Sequence, residues 1–305
     1  MNYNLKDINE QINNDKQGFV IACEKKYQNQ IVECVENNFA NKNGMDYKFI
    51  LLAGPSSAGK TTTSYLFKEN LKKHGFKANV VSIDNFFLER AETPKLPNGN
   101  NDYESLRAID WNLFGKKMKE LIEDKKTILP VFDFIDGVKY FPDEETTLND
   151  NEIIIIEGLH ALNPIINNYI PTELAFKVYL NTESEFVNDD EVILNKENIK
   201  LVRRLIRDFK KRGATPAHTF KTWSDVTDGE RTYITPFKNT ANKQINTTHA
   251  FEPSVYYKYL LDINSTHEHE KLTEIIKKLE PFANISYDLI PENSLTQEFL
   301  GGNKN

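Results

Sequence analysis

The sequence predicts an α/β fold, with a mostly parallel sheet that helices cover on both faces, a helical lid and a helical arm at the N-terminus. Three observations favour this class. Short apolar runs alternate with stretches of helical composition, which is typical of parallel strands joined by right-handed crossovers. A glycine-rich loop follows the first of these runs. The 305 residues are 39% apolar and 27% charged, a composition that supports a sizeable core.

The first 45 residues form the predicted arm. They are rich in Asn, Gln and Lys, and apolar residues recur at helical spacing between Gly18 and Ala40. We therefore divide the chain into an arm, residues 1–45, and a second domain, residues 46–305.

Four compact apolar runs predict the strands of the sheet. They are Asp46 to Gly54, Lys77 to Ile83, Asn151 to Glu157 and Ala175 to Leu180. Helical composition marks Asp110 to Glu123, residues 197–227 and residues 255–280, whereas residues 244–251 are predicted to be irregular or a short strand. The segment 85–102 contains two prolines and a glycine, and we expect an ordered loop or lid there.

The net charge of the chain limits the classes of molecule that could be its main binding partner. With 38 basic and 45 acidic side chains the net charge is −7, which argues against a nucleic-acid backbone or an anionic membrane as the main partner. No apolar run approaches the ~18 residues that a membrane span needs. The polar N-terminus also lacks the layout of a secretory signal. We therefore expect a cytoplasmic protein.

The strongest motif is the run Gly54-Pro-Ser-Ser-Ala-Gly-Lys-Thr61, which fills G-x-x-x-x-G-K-[ST] without a mismatch. We call this run the phosphate loop. It stands between a predicted strand and a predicted helix, so a chance match is the weaker interpretation. Such a loop turns N–H groups and a helix N-terminus toward phosphate oxygens, while its lysine supplies charge and its threonine hydroxyl binds Mg²⁺. The predicted nucleotide-binding residues are Gly54, Ser56, Ser57, Ala58, Gly59, Lys60, Thr61 and Thr62.

Two acidic residues follow predicted strands that end beside the phosphate loop. Glu157 ends the four-isoleucine strand and is, with Thr61, a predicted magnesium ligand, while Asp84 follows the second strand. Because parallel strands place their carboxyl ends at one edge of a sheet, both acids should converge there. A kinase needs a metal-side carboxylate and a base near the acceptor hydroxyl, and these two residues are the candidates. The alternative for each is a cap of the next helix.

The segment Lys200 to Arg212 predicts a helix with one apolar and one cationic face. The cationic sector, about 120° wide at about 100° per residue, contains Lys200, Arg203, Arg204, Arg207, Lys210 and Lys211. In an acidic protein such a face suits a polyphosphate, with arginines closing over the γ-phosphate. A solvated helix face is the alternative.

In this order, the segments GPSSAGKTTTS, SIDNFF, PVFDF, IIIIEGLHALNP and LVRRLIRDFKKRG resemble the uridine kinase and phosphoribulokinase family of P-loop kinases. The resemblance runs from about Lys48 to the C-terminus and is strongest to bacterial-type nucleoside (uridine) kinases. It implies a P-loop fold and transfer of the γ-phosphate of ATP, with Mg²⁺, to the 5′-hydroxyl of a pyrimidine ribonucleoside such as uridine or cytidine.

The resemblance also implies roles for single residues. Asp84 matches the catalytic base, and Glu104 matches an acidic position that holds the ribose 2′- and 3′-hydroxyls. Phe132 and Phe134 match aromatic positions that face the base, although the segment also fits a strand with core aromatics. Human-type enzymes carry a histidine where this chain has Gly137, so the contact to the uracil edge stays open.

Three further residues, Arg204, Arg207 and Arg212, match arginines of a lid that spans about residues 197–230. Lys60, Arg204 and Arg207 are expected to balance charge on the transferring phosphoryl group, Arg204 also at the acceptor, and Arg212 to bind the nucleotide.

Two alternatives keep the phosphate loop and change the function. One is a kinase of the same family with another small hydroxyl acceptor, such as a sugar phosphate or a pantothenate-like molecule. The other is a nucleotide-binding regulator without turnover, although both the base and the metal acid are present. A GTPase-type switch is disfavoured because the sequence contains no Asn-Lys-x-Asp guanine reader. The predicted partners are thus ATP and a small acceptor. The sequence leaves open whether the chain forms a homo-oligomer.

Overall fold

The computed structural model describes residues 2–40, 46–97 and 99–301. The strands in these residues are β1 (Asn2–Asn4), β2 (Phe49–Ala53), β3 (Lys77–Ser82), β4 (Lys126–Ile128), β5 (Val131–Asp133), β6 (Val138–Tyr140), β7 (Glu145–Thr147), β8 (Glu152–Glu157), β9 (Ala175–Asn181), β10 (Glu185–Asn188), β11 (Glu191–Leu194) and β12 (Lys243–Asn246). The α-helices are α1 (Leu5–Asn14), α2 (Lys16–Val35), α3 (Lys60–Lys73), α4 (Trp111–Glu123), α5 (Lys196–Arg212), α6 (Pro216–Tyr233), α7 (Glu252–Thr266), α8 (Glu270–Leu279) and α9 (Gln297–Leu300).

The centre of the molecule is a five-stranded sheet in the order β12-β9-β2-β8-β3. All four pairings are parallel, which confirms the predicted α/β class and all four predicted strands. The fifth strand, β12, falls in the segment for which the sequence allowed either irregular structure or a short strand.

Both faces of this sheet are buried. Along β2, Ile50 and Leu52 join one core cluster, with residues of α2, α3, α5, α7 and α8. Phe49 and Leu51 join a second cluster, which includes α4. The isoleucines of β8 divide between the clusters in the same alternating way. Uniformly apolar strands are therefore required, as the sequence indicated.

The arm consists of β1, α1, α2 and a π-helical turn, Glu36–Ala40. Asn4 and Asp15 cap the two helices, since their side chains accept hydrogen bonds from the N–H groups of Lys6 and Gly18. The strand β1 pairs in parallel with β10, and Ile12 and Ile31 are fully buried in the first core cluster. The arm thus packs directly on the core. The predicted boundary at residue 45 lies outside the described residues and stays a prediction.

The predicted helices 197–227 and 255–280 are each two helices. A left-handed Gly213, with φ of 63°, ends α5, and α6 starts with Pro216 after a Thr215 cap. Likewise α7 ends at Thr266 and α8 begins at Glu270. The sequence prediction joined each pair into one helix, although Gly213 and Pro216 are local signals for the first break. Of the residues described, none form a helix both long and apolar enough to cross a membrane.

Candidate active site

The phosphate loop leaves the carboxyl end of β2 and enters α3 at Lys60. Two of its residues, Ser57 with φ of 62° and Gly59 with φ of 82°, are left-handed, and this curls the backbone. Gly59 is the N-cap of α3 and offers no side chain to the free N–H groups of the first turn. The Lys60 ammonium donates hydrogen bonds to the Gly54 and Pro55 carbonyls at 3.1 and 3.2 Å. The loop therefore has the geometry that the motif predicts.

A tyrosine of the arm stabilises the phosphate loop through a chain of hydrogen bonds. The Tyr27 hydroxyl lies 2.7 Å from the Thr63 hydroxyl, which in turn donates to the Gly59 carbonyl at 2.7 Å. Tyr27 is buried, so this short chain of hydrogen bonds is shielded from water. It connects α2 to the start of α3.

A buried ion pair supports the loop from below. The Arg203 guanidinium is fully buried and donates to the Ser57 carbonyl at 3.1 Å and to the Thr247 carbonyl at 2.7 Å. It also contacts both carboxylate oxygens of Glu252, at 2.6 and 2.8 Å. Arg203 is therefore a structural anchor of the loop.

This position corrects the predicted cationic face of α5. Arg203 pairs with Glu252, and the buried Lys200 donates to Glu230 at 2.7 Å. The helical wheel groups these cations correctly, but α6 and α7 cover that side of α5, so the two side chains do not face an open site.

The acids Asp84 and Glu157 come together as expected. Glu157 ends β8 opposite Leu52 of β2 and Ser82 of β3, the strands that lead to the phosphate loop and to Asp84. The Ser82 hydroxyl accepts a hydrogen bond from the Asp84 N–H at 3.3 Å. Burial and the nearby Asp84 charge together raise the pKa of Glu157 to about 7, against the opposing Lys60 charge. Burial also raises the pKa of Asp84, while the Lys60 charge opposes this shift.

Glu104 belongs to the same charge cluster. Its pKa is raised to about 7, mainly by burial, while the Arg204 and Lys60 charges oppose the shift and the Asp84 charge adds to it. The side chain packs against α6 at Gly229, where an added Cβ would lie 2.8 Å from the Cβ of Glu104. A glycine is therefore needed at position 229 for this approach.

The three predicted lid arginines share one buried partner. Asp208 lies 3.2 Å from Arg204, 2.9 Å from Arg207 and 3.5 Å from Arg212. Arg204 also donates to the Ser56 hydroxyl of the phosphate loop at 2.9 Å. Asp208 thus gathers the arginines beside the loop.

The predicted base-facing aromatics have different surroundings. Phe132 is 4% exposed and belongs to the second core cluster, whereas Phe134 is 60% exposed. Their rings lie 5.1 Å apart, and each also meets Phe87 edge-on. Phe132 thus has the surroundings of a core aromatic, and the base-facing roles stay predictions.

Two residues that the sequence reasoning did not single out also lie here. His160 is buried near the Glu104 backbone, and burial lowers its pKa to about 4, so its imidazole is neutral. Glu298 accepts hydrogen bonds from the backbone N–H and the hydroxyl of Thr62, at 3.1 and 2.8 Å. His160 stands within the IIIIEGLHALNP segment, whereas no local signal marks Glu298.

Two cavities lie outside this cluster. One, of about 330 Å³, opens beside Pro55 and the Lys200–Glu230 pair. The other, of about 720 Å³, separates the arm from the carboxyl ends of β9 and β12. Neither is lined by a predicted site residue. The candidate site is thus the charged cluster around the phosphate loop.

Comparisons with known proteins identify the family. A model of the Phosphoribulokinase / Uridine kinase family matches residues 49–251. A uridine kinase of Schizosaccharomyces pombe is 32% identical over 168 residues, which are 54% of this chain and 33% of that protein. A uridine kinase of Ureaplasma parvum serovar 3 is 23% identical over 197 residues, 64% of this chain and 86% of that protein.

Solved structures with the same fold include the YGR205w protein. It superposes with a TM-score of 0.51 at 16% identity, over 70% of this chain and 89% of its own.

Proposed function

The chain belongs to the phosphoribulokinase and uridine kinase family of phosphotransferases that act on hydroxyl groups, and from this premise we propose its substrates. The donor is ATP. The acceptor is the 5′-hydroxyl of a pyrimidine ribonucleoside.

One observation carries this proposal. Asp84, Glu104 and Glu157 each lie close enough to the Lys60 ammonium for its charge to lower their pKa values. A candidate base, a candidate diol ligand and a candidate metal ligand therefore all lie within reach of the charge of the lysine that a P-loop directs at the β- and γ-phosphates.

In this proposal Asp84 accepts the proton of the attacking hydroxyl. Burial raises its pKa above the ordinary value of an aspartate. A carboxylate whose pKa is raised toward the working pH is a stronger base while it is still ionised. The hydroxyl oxygen then attacks the γ-phosphorus, and ADP leaves.

The cations balance charge on the phosphoryl group during transfer. In the structure Lys60 donates to carbonyls of its own loop, and phosphate oxygens would replace those acceptors. Arg204 is already at the loop through Ser56, and Arg207 is its neighbour on Asp208. Arg212 completes the group.

The oxygen donors at the loop fit Mg²⁺. The Thr61 hydroxyl and the Glu157 carboxylate are hard oxygen ligands, and Mg²⁺ typically takes one or two protein oxygens together with phosphate oxygens and water. The raised pKa of Glu157, about 7, also fits, because a cation beside it would stabilise the ionised form. Thr61 and Glu157 would hold the ion, which would supply positive charge against the phosphates.

On the acceptor side, Glu104 can accept two hydrogen bonds from a vicinal diol. The exposed Phe134 ring offers a flat apolar surface to a base. A neutral ribose and a flat ring suit these side chains better than a sugar phosphate, which would call for cations.

The test is a steady-state panel of uridine, cytidine, purine nucleosides, sugar phosphates and pantothenate with ATP and Mg²⁺. We expect turnover of pyrimidine nucleosides and its loss in Asp84→Asn. Turnover of a sugar phosphate or pantothenate alone would contradict the proposed acceptor. ATP binding with no turnover of any acceptor would favour a regulator.

Glu104 has its own test. We expect Glu104→Ala to raise the nucleoside KM about tenfold and change kcat little, because a diol contact is present in ground and transition states alike. Glu89→Ala, an exposed acid on the same loop, is the matched control. A selective loss of kcat in Glu104→Ala would contradict the diol assignment.

A further inference from the structure

The first turn of α3 is already occupied by an anion of the chain itself. Thr62, a residue predicted to bind phosphate, donates its backbone N–H and its hydroxyl to one Glu298 oxygen, at 3.1 and 2.8 Å. Gly59 supplies no capping side chain, so the carboxylate supplies the negative group that a helix N-terminus favours. A phosphate at this turn would need the same donors.

The segment that carries Glu298 is firmly held. Leu295 is fully buried against the phosphate loop, where a Cβ on Gly59 would lie 2.4 Å from its Cδ1. The Phe299 ring, also fully buried, lies 5.0 Å from the Arg203 guanidinium carbon. Ser294 donates its hydroxyl to Glu24 of the arm. The backbone around Glu298 is thus fixed, while the Glu298 side chain itself is only half-buried and can turn away.

The charge of Glu298 reaches the catalytic cluster. After burial and the Asp84 charge, the Glu298 carboxylate is one of the groups that raise the pKa of Glu157. It also acts on Lys211, where it opposes the lowering of the pKa that burial causes. A triphosphate at the loop and Glu298 at Thr62 would therefore repel each other, and Lys211 is a cation near which a displaced carboxylate can lie.

We infer that Glu298 is an internal competitor of the nucleotide: its carboxylate takes up the hydrogen-bond donors of Thr62, and a nucleotide phosphate displaces it. The inference rests on the proposed nucleotide site. It adds a residue that lowers affinity for phosphate-bearing ligands at that turn. Because the competitor is tethered, its effective concentration is high and does not depend on the solution.

The test measures ADP and adenosine binding by calorimetry to the full chain and to Glu298→Gln. The substitution keeps the size of the side chain and removes its charge. We expect Glu298→Gln to bind ADP about tenfold more tightly, since hydrogen bonds to charged groups are the strong ones. Adenosine, which has no phosphate, should bind equally to both. Glu292→Gln, an exposed acid of the same segment, should behave like the parent protein.

Equal or weaker ADP binding by Glu298→Gln would overturn the inference, as would an equal gain for adenosine, which would indicate a structural effect. If Glu298→Gln fails to fold, Glu298→Asp replaces it, because the shorter side chain keeps the charge but loses reach. It too should bind ADP more tightly. ADP binding that is lost in Lys60→Ala but unchanged in the Glu298 variants would contradict only this inference. No ADP binding to any form would contradict the proposed function.

Discussion

Two buried glutamates, Glu252 beneath the phosphate loop and Glu157 beside it, differ in their partners. Burial raises the pKa of a carboxylate, but at Glu252 the Arg203 charge and hydrogen bonds outweigh burial and lower the pKa to about 2. At Glu157 burial and Asp84 together raise the pKa to about 7. Glu252 is therefore ionised and satisfied, whereas at Glu157 burial and the Asp84 charge outweigh the opposing Lys60 charge.

Glu252 thus belongs to a structural ion pair, whereas Glu157 belongs to the cluster of candidate catalytic and binding residues. The Arg203–Glu252 pair includes hydrogen bonds to loop and strand carbonyls, so it fixes the backbone on which the site stands. The cluster of Asp84, Glu104 and Glu157 is held with raised pKa values, as is common where ligands bind. Substitutions in the two regions should then affect different measurements.

Lys60→Ala should have the largest effect on activity. We expect kcat to fall on the order of a thousandfold, because a charge aimed at the phosphoryl group is lost. The melting temperature should stay close to that of the parent protein, since the ammonium donates hydrogen bonds to carbonyls of its own loop and is not part of the apolar core. Lys72→Ala, an exposed lysine of the same helix, is the control. Unchanged turnover would remove the loop from the mechanism.

In contrast to Lys60→Ala, Arg203→Met should reduce the stability of the fold more than it affects the chemical step. We expect a loss of about 3–5 kcal/mol in the free energy of unfolding, because Glu252 would keep a buried charge without its partner. Urea unfolding measures this loss, and the double variant Arg203→Met/Glu252→Leu should recover much of it. A variant of parent-like stability that has lost kcat would instead place Arg203 in the chemistry.

Glu157→Gln should have a modest effect on stability, and one that depends on pH. Because the folded-state pKa of Glu157 is raised to about 7, its stabilising contribution is complete below its ordinary pKa and is lost as the pH rises through about 7. Glutamine does not titrate. We therefore expect the variant to gain a few degrees in melting temperature relative to the parent at pH 8, compared with pH 5. The same difference at both pH values would contradict the raised pKa.

Much of the site was predictable because its signals are local. The β2 strand, the phosphate loop and the start of α3 are contiguous, and strand ends that precede Asp84 and Glu157 converge in any parallel sheet of this order. The positions of Lys60, Asp84 and Glu157 at this edge of the sheet could therefore be predicted from the sequence.

What escaped prediction depends on distant pairs. Arg203 is buried because Glu252, 49 residues away, meets it, and Glu298 reaches Thr62 across 236 residues. A helical wheel records only which cations share a side of α5, not which helices cover that side. The strand β1 escaped for the same reason, since its partner is β10.

The hydrogen bonds from Tyr27 through Thr63 to Gly59 mean that the arm restricts the motion of the phosphate loop. They fix the phosphate loop on the side that faces α2, so we expect the loop backbone to move little when an anion binds. Adjustment is left to the open side, where the α5 arginines and the Glu298 carboxylate face the incoming molecule.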